Sequence, residues 1–213
     1  MKRKLFEMLL MACIAIFFVP GCSKNGGDSS TTDGSSEGSL ADHEGANEVV
    51  TASNVDTVTK EINAMAWDVF GRAILMPSFG KAAASITTNL NGDVAGDKSG
   101  KASVIGTSVT KTTGILTTAV DYTIVSVFYD FSDDGEMYFG GSLTYKGSAK
   151  YNSKSQFESN TITYKGGLKF NGAYSGTEDI TTTVKVDSEG NYSFEGTATV
   201  TSGGETFTQN FKY

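Results

Sequence analysis

Apolar positions along this chain follow two different periods. Between Ser53 and Leu75 they recur at three- and four-residue steps, at Val55, Val58, Ile62, Met65, Ala66, Val69, Phe70, Ala73 and Ile74. That spacing draws one stripe along a helix and leaves Asp56, Lys60, Glu61, Asp68 and Arg72 mostly off it. Ser53, Asn54 or Asp56 can cap the first turn and Pro77 stops the last, so a helix is predicted over 53–75. The polar side is not enriched in Lys or Arg, so the stripe reads as a core face rather than a membrane-surface one.

From Ser78 onward the period becomes two, and Thr, Ser, Val, Tyr, Phe and Gly dominate. The predicted strands are 84–91, 101–110, 113–119, 121–132, 136–147, 156–165, 167–175, 178–187, 191–202 and 205–213. Turn chemistry separates them at Asn91-Gly92, Asp133-Asp134-Gly135, Lys165-Gly166-Gly167, Ser188-Glu189-Gly190-Asn191 and Gly203-Gly204. Such short connections leave no room for crossover helices, so neighbouring strands pair antiparallel. The expected fold class is therefore mainly β. It is an antiparallel meander of 8–10 strands, a strongly curved sheet or near-closed barrel, with one N-terminal helix packed on its apolar face.

An internal echo supports hairpin repetition. Phe131 to Thr144 lines up with Val186 to Thr199, and Thr144-Tyr145-Lys146-Gly147 with Thr163-Tyr164-Lys165-Gly166. Alternation puts Met137, Phe139, Gly141, Leu143 and Tyr145 on the buried side, as it does Tyr192, Phe194, Gly196, Ala198 and Val200. Glycines on an inner face mark close approach by another backbone. The helix is accordingly expected to cross the concave side near Gly141 and Gly196.

The first residues follow neither period. Lys2, Arg3 and Lys4 precede an apolar run from Leu5 to Val19 broken only by Glu7, and Val19-Pro20-Gly21-Cys22 follows. This is the layout of a secretory signal, too short for a spanning helix. The last four residues resemble the lipobox of bacterial lipoproteins. The resemblance implies cleavage before Cys22, acyl chains on its sulfur, and attachment to the membrane through those chains. Ser23 implies, by the same resemblance, sorting to the outer membrane of the cell envelope. The expected organisation is a signal peptide over 1–21, a lipidated cysteine and disordered tether over 22–50, and one β-rich domain over 51–213. Ser23 to Val50 is rich in Ser, Thr, Gly, Asp and Glu, with only Leu40 and Val49-Val50 as sizeable apolar residues.

Composition narrows the chemistry. Losing Lys2, Arg3, Lys4 and Glu7 takes the 17 basic and 24 acidic residues to 14 and 23, a net charge of −9. An acidic surface repels phosphate backbones, so nucleic acid is not an expected partner. Cys13 leaves with the signal and Cys22 is committed to lipid, so no disulfide is available. His43, the single histidine, sits in the expected tether, which disfavours nucleophile–histidine chemistry and a His/Cys zinc centre. The residues suggest neither an enzyme nor a cofactor. Asp130, Asp133, Asp134 and Glu136 share one hairpin tip and read as a solvated turn rather than a calcium loop. Tyr145, Lys146, Tyr151, Tyr164, Lys165 and Phe170 form the most basic and aromatic stretch, the candidate surface for a ligand or partner. Two functions follow. One is a non-catalytic binding or structural module meeting another envelope protein or a surface polymer. The other is a carrier holding a lipid or other apolar ligand in a helix-lidded half-barrel, which requires an open interior.

Overall fold

A computed structural model describes residues 38–45, 47–75, 87–113 and 116–213. The expected signal peptide and lipidated Cys22 lie outside these residues. The described elements are β1 (Glu48–Val49), α1 (Val55–Ile74), β2 (Thr87–Ala95), β3 (Ser99–Thr113), β4 (Leu116–Ser132), β5 (Met137–Tyr151), β6 (Phe157–Gly172), β7 (Tyr174–Val186), β8 (Tyr192–Ser202) and β9 (Glu205–Lys212). Strands β2 to β9 form one antiparallel meander in chain order, and β1 adds in parallel to β7. The sheet is curved but open, because β2 and β9 do not pair.

Several strands run through positions that turn chemistry alone would break. Asn91-Gly92 lies inside β2, and Lys165-Gly166-Gly167 inside β6. The reason is continuous alternation: Leu90 and Val94 share a parity, as do Ile162, Tyr164, Leu168 and Phe170, and all six are buried. Burying that row outweighs the local preference of a glycine pair for a turn. The expected strands 113–119 and 121–132 likewise merge into β4, where Val120, Tyr122 and Ile124 keep one inward register.

α1 crosses the inner face strand by strand. The Val55 carbonyl accepts a hydrogen bond from Gln209 on β9, Asn63 meets Tyr164 on β6 and Thr182 on β7, and the Ala66 carbonyl accepts one from Tyr145 on β5. Phe70 packs on Tyr122 and Tyr145, with centroids at 5.8 and 5.3 Å. Arg72 reaches the Ala95 carbonyl at the end of β2. A helix of 20 residues spans about 30 Å, and eight strands cover roughly 34 Å, so one such helix matches the width of the sheet. Its start differs from expectation. Asn54 is the N-cap but makes no side-chain cap, since its amide oxygen accepts the Thr51 N–H at 2.7 Å.

The expected close approach at Gly141 and Gly196 is real, but the helix does not make it. A Cβ on Gly141 would sit 2.4 Å from the Gly167 carbonyl oxygen, and one on Gly196 would sit 2.2 Å from that of Thr181. Both atoms belong to the neighbouring strand. Buried aromatic rings such as Tyr145, Tyr164 and Phe70 stand between helix and sheet and hold the two backbones apart.

Candidate functional site

The proposed aromatic and basic surface does not exist as one surface. Tyr145 and Tyr164 are 0 % exposed and Phe170 is 2 % exposed, all three in the core. Lys146 and Lys165, one position on, are exposed on the opposite face. Strand alternation separates them, because adjacent residues cannot share a side. Tyr151 is half-buried, its ring edge-on to Phe157 at 6.1 Å. Sequence proximity along β5 and β6 had suggested a cluster that the pleat takes apart.

The tyrosines instead help build a polar seam beneath α1. Tyr164 donates its hydroxyl to the Asn63 Oδ1, Thr182 donates to the same oxygen at 3.0 Å, and the Asn63 amide donates to the Thr59 carbonyl at 2.8 Å. Burial pushes the Tyr164 hydroxyl well above the usual phenol range. Glu178 enters this seam from the inner side of β7, next to Ile180 and Thr182, and is 1 % exposed. Among the described residues the group nearest the carboxyl that could donate to it is the Thr59 hydroxyl, which faces it without closing a well-formed hydrogen bond. Desolvation pushes the Glu178 carboxyl up to about 8, helped by the charge of Asp179 and opposed by Thr59. The inward acid is legible in the parity it shares with Ile180, Thr182 and Val184, all three buried.

A second cluster forms where a disordered tether was expected. Residues 38–45 pack on the outer face, across the ends of β4, β5 and β6. His43 stacks on Tyr138 with centroids 3.5 Å apart, and its Nε2 meets the Asp130 Oδ1 at 2.6 Å. Asp130 also accepts the Ala41 N–H at 3.2 Å and the Ser99 hydroxyl at 3.0 Å. Burial raises the Asp130 carboxyl, but these bonds outweigh it and hold the group below its ordinary value. Ser99 donates to the carboxylate and not to the imidazole, so this trio lacks the connectivity of a nucleophile–base–acid relay. The strap ends as β1, and Val50 enters the core with its N–H on the Ser202 hydroxyl at 2.9 Å. Leu40 and Val49-Val50, the only sizeable apolar residues of the expected tether, were the signal that it docks.

The acidic hairpin tip is internally bonded. Asp133 holds Arg72 at 2.5 Å and the Asp97 N–H at 3.0 Å, while Asp134 accepts the N–H groups of Glu136 and Met137. The outer face carries a shallow hollow of about 540 Å³. Gly166 and Gly167 form its floor, with Thr144, Lys165, Asp179, Thr181, Thr197 and Thr199 around them. Of the two glycines only Gly167 has outward parity, and its missing side chain leaves a gap beside Asp179 in the outer row.

In comparisons with known proteins, no family model matches the chain, and no similar curated protein or solved structure was found. The chemistry therefore rests on the residues alone. Glu178 is sealed from reactants, and His43 serves the strap. The hollow offers an ammonium, a carboxylate and threonine hydroxyls to a polar ligand.

Proposed function

We propose that this chain is an envelope lipoprotein, held in the membrane by acyl chains on Cys22, whose β domain is a non-catalytic binding module. The observation that favours this over the carrier is the filled interior: Phe70, Phe128, Leu143, Tyr145 and Tyr164 occupy the space between helix and sheet at 0–1 % exposure. A carrier of apolar ligands needs a cavity of several hundred cubic ångströms there. The shallow hollow over Gly167 faces outward, with a lining of mixed polar and apolar character that includes Lys165, Asp179 and threonines, as suits contact with another envelope protein or a surface polymer.

Mass spectrometry of protein purified gently from its native membrane tests this reading. A diacyl or triacyl mass on Cys22 and no stoichiometric co-purified lipid is the expected result. A chain beginning at another residue removes the lipoprotein assignment, and one bound lipid per chain restores the carrier. Cys22→Ala releases the domain from the membrane fraction and leaves it folded.

A further inference from the structure

The seam under α1 contains a carboxyl with nowhere to place a charge. Glu178 sits between its register partners Leu168 on β6 and Val200 on β8. Among the described residues, the groups around it offer no cation that is not already paired. From α1 come the Thr59 hydroxyl, a neutral group that faces the carboxyl, and, further out, Asp56 and Lys60, which pair with each other at 2.5 Å. From β6 comes the Tyr164 hydroxyl, committed to Asn63. After β9 comes Tyr213, whose ring lies under Lys60 at 5.2 Å. On its own strand, Asp179 adds a like charge from the opposite face. We infer that closure of α1 on the sheet depends on a proton at Glu178, so that losing it releases the helix while the sheet stays folded.

The reasoning is electrostatic. An ionised carboxylate in that seam needs water or a cation, and lifting α1 is the movement that admits water without breaking a strand ladder. With the helix lifted, Glu178 returns toward its ordinary value of 4.5, against about 8 when covered. A group raised in the closed form stabilises closure fully below the open-form value and loses that effect as pH rises to the closed-form value. Opening then grows about tenfold per pH unit across that window and levels off above it. Glu178 lies on β7, which is laddered to β6 on one side and β8 on the other, so the helix and not a strand is the part that can lift.

The test is amide hydrogen exchange across residues 55–74 in the full chain as pH rises, corrected for the intrinsic rate, with emission of Trp67 read in parallel. Trp67 is the single tryptophan, 5 % exposed against Phe70, Tyr192 and Phe194, and reports helix docking directly. In the native chain, helix exchange should accelerate across the window and Trp67 emission should shift to the red, while β5–β7 amides stay protected. Glu178→Gln keeps the shape and removes the charge, and should flatten both profiles. Asp179→Asn leaves Glu178 in place, removes the like charge and should move the plateau to lower pH. An unchanged slope in Glu178→Gln overturns the inference. So does an unmoved plateau in Asp179→Asn, or loss of β5–β7 protection in step with the helix.

Discussion

Tyr145 and Tyr164 are direct cross-strand partners, both fully buried, with ring centroids 5.4 Å apart, and both send their hydroxyls into α1. Tyr145 donates to the Ala66 carbonyl at 2.9 Å and Tyr164 to the Asn63 side chain. The echoed tetrapeptides therefore meet antiparallel, with Thr144 opposite Lys165 and Lys146 opposite Thr163 on the outer side. One short motif supplies two core rings, two anchors for the helix and a solvated outer row. Tyr145→Phe and Tyr164→Phe should each cost about 1 kcal/mol, the ordinary worth of one buried hydrogen bond. The pair should be non-additive, because both anchors hold the same helix. Urea unfolding of the singles and the double measures this, and strict additivity would show that the anchors act separately.

Arg72 ties the far end of α1 to two hairpin tips. It contacts Asp68 at 2.6 Å, Asp133 at 2.5 Å and the Ala95 carbonyl at 2.9 Å, and lies 5.4 Å from the Phe131 ring centre. Arg72→Ala should lower stability by roughly 1–3 kcal/mol, since it also strands the partly buried Asp133 and Asp68 carboxylates. Asp133→Asn retains a hydrogen-bonding group and should cost less. Denaturation midpoints of the two variants check the order.

The strap docks through missing side chains. A Cβ on Gly140 would come 2.9 Å from the Leu40 Cβ and from the Ser39 carbonyl. Gly140→Val should expel residues 38–45 and leave the meander standing. Limited proteolysis should then cut within the strap many times faster, with the β circular-dichroism signal unchanged. Protection of the strap in this variant would mean that it is held elsewhere.

Acid should loosen the same contact. The Asp130 carboxyl is held below its ordinary value, so its contribution is present above the unfolded value of 3.8 and is lost as pH falls through the depressed one. The Asp130 amide donates to the Ser39 carbonyl at 2.8 Å, so its exchange rate reads strap docking residue by residue. Asp130→Asn should dock the strap less well at neutral pH and remove that acid-dependent step.

Gly141 adopts φ +114°, a conformation a side chain resists, and its Cβ position is taken by the Gly167 carbonyl oxygen at 2.4 Å. Gly141→Ala should cost about 2 kcal/mol or more, through backbone strain and a forced parting of β5 from β6. Loss of protection at Leu168 and its neighbours, seen by hydrogen exchange, locates the damage.

Local periodicity was enough to determine the helix, the antiparallel meander and the inward rows of β5 and β8, because those follow from which side chains must leave water. Three decisions belonged to the tertiary structure. Gly166-Gly167 and Asn91-Gly92 continue as strand because long-range pairing and burial outweigh a local turn preference. His43 joins the fold because Asp130 and Tyr138, some ninety positions away, meet it at the end of the sheet. Tyr145 and Tyr164 part from Lys146 and Lys165 because a pleated strand sends neighbours to opposite faces, which makes the aromatics core and leaves only the lysines outside. Glu178 shares that inward parity, and covering it with α1 is what raises its carboxyl above the ordinary range.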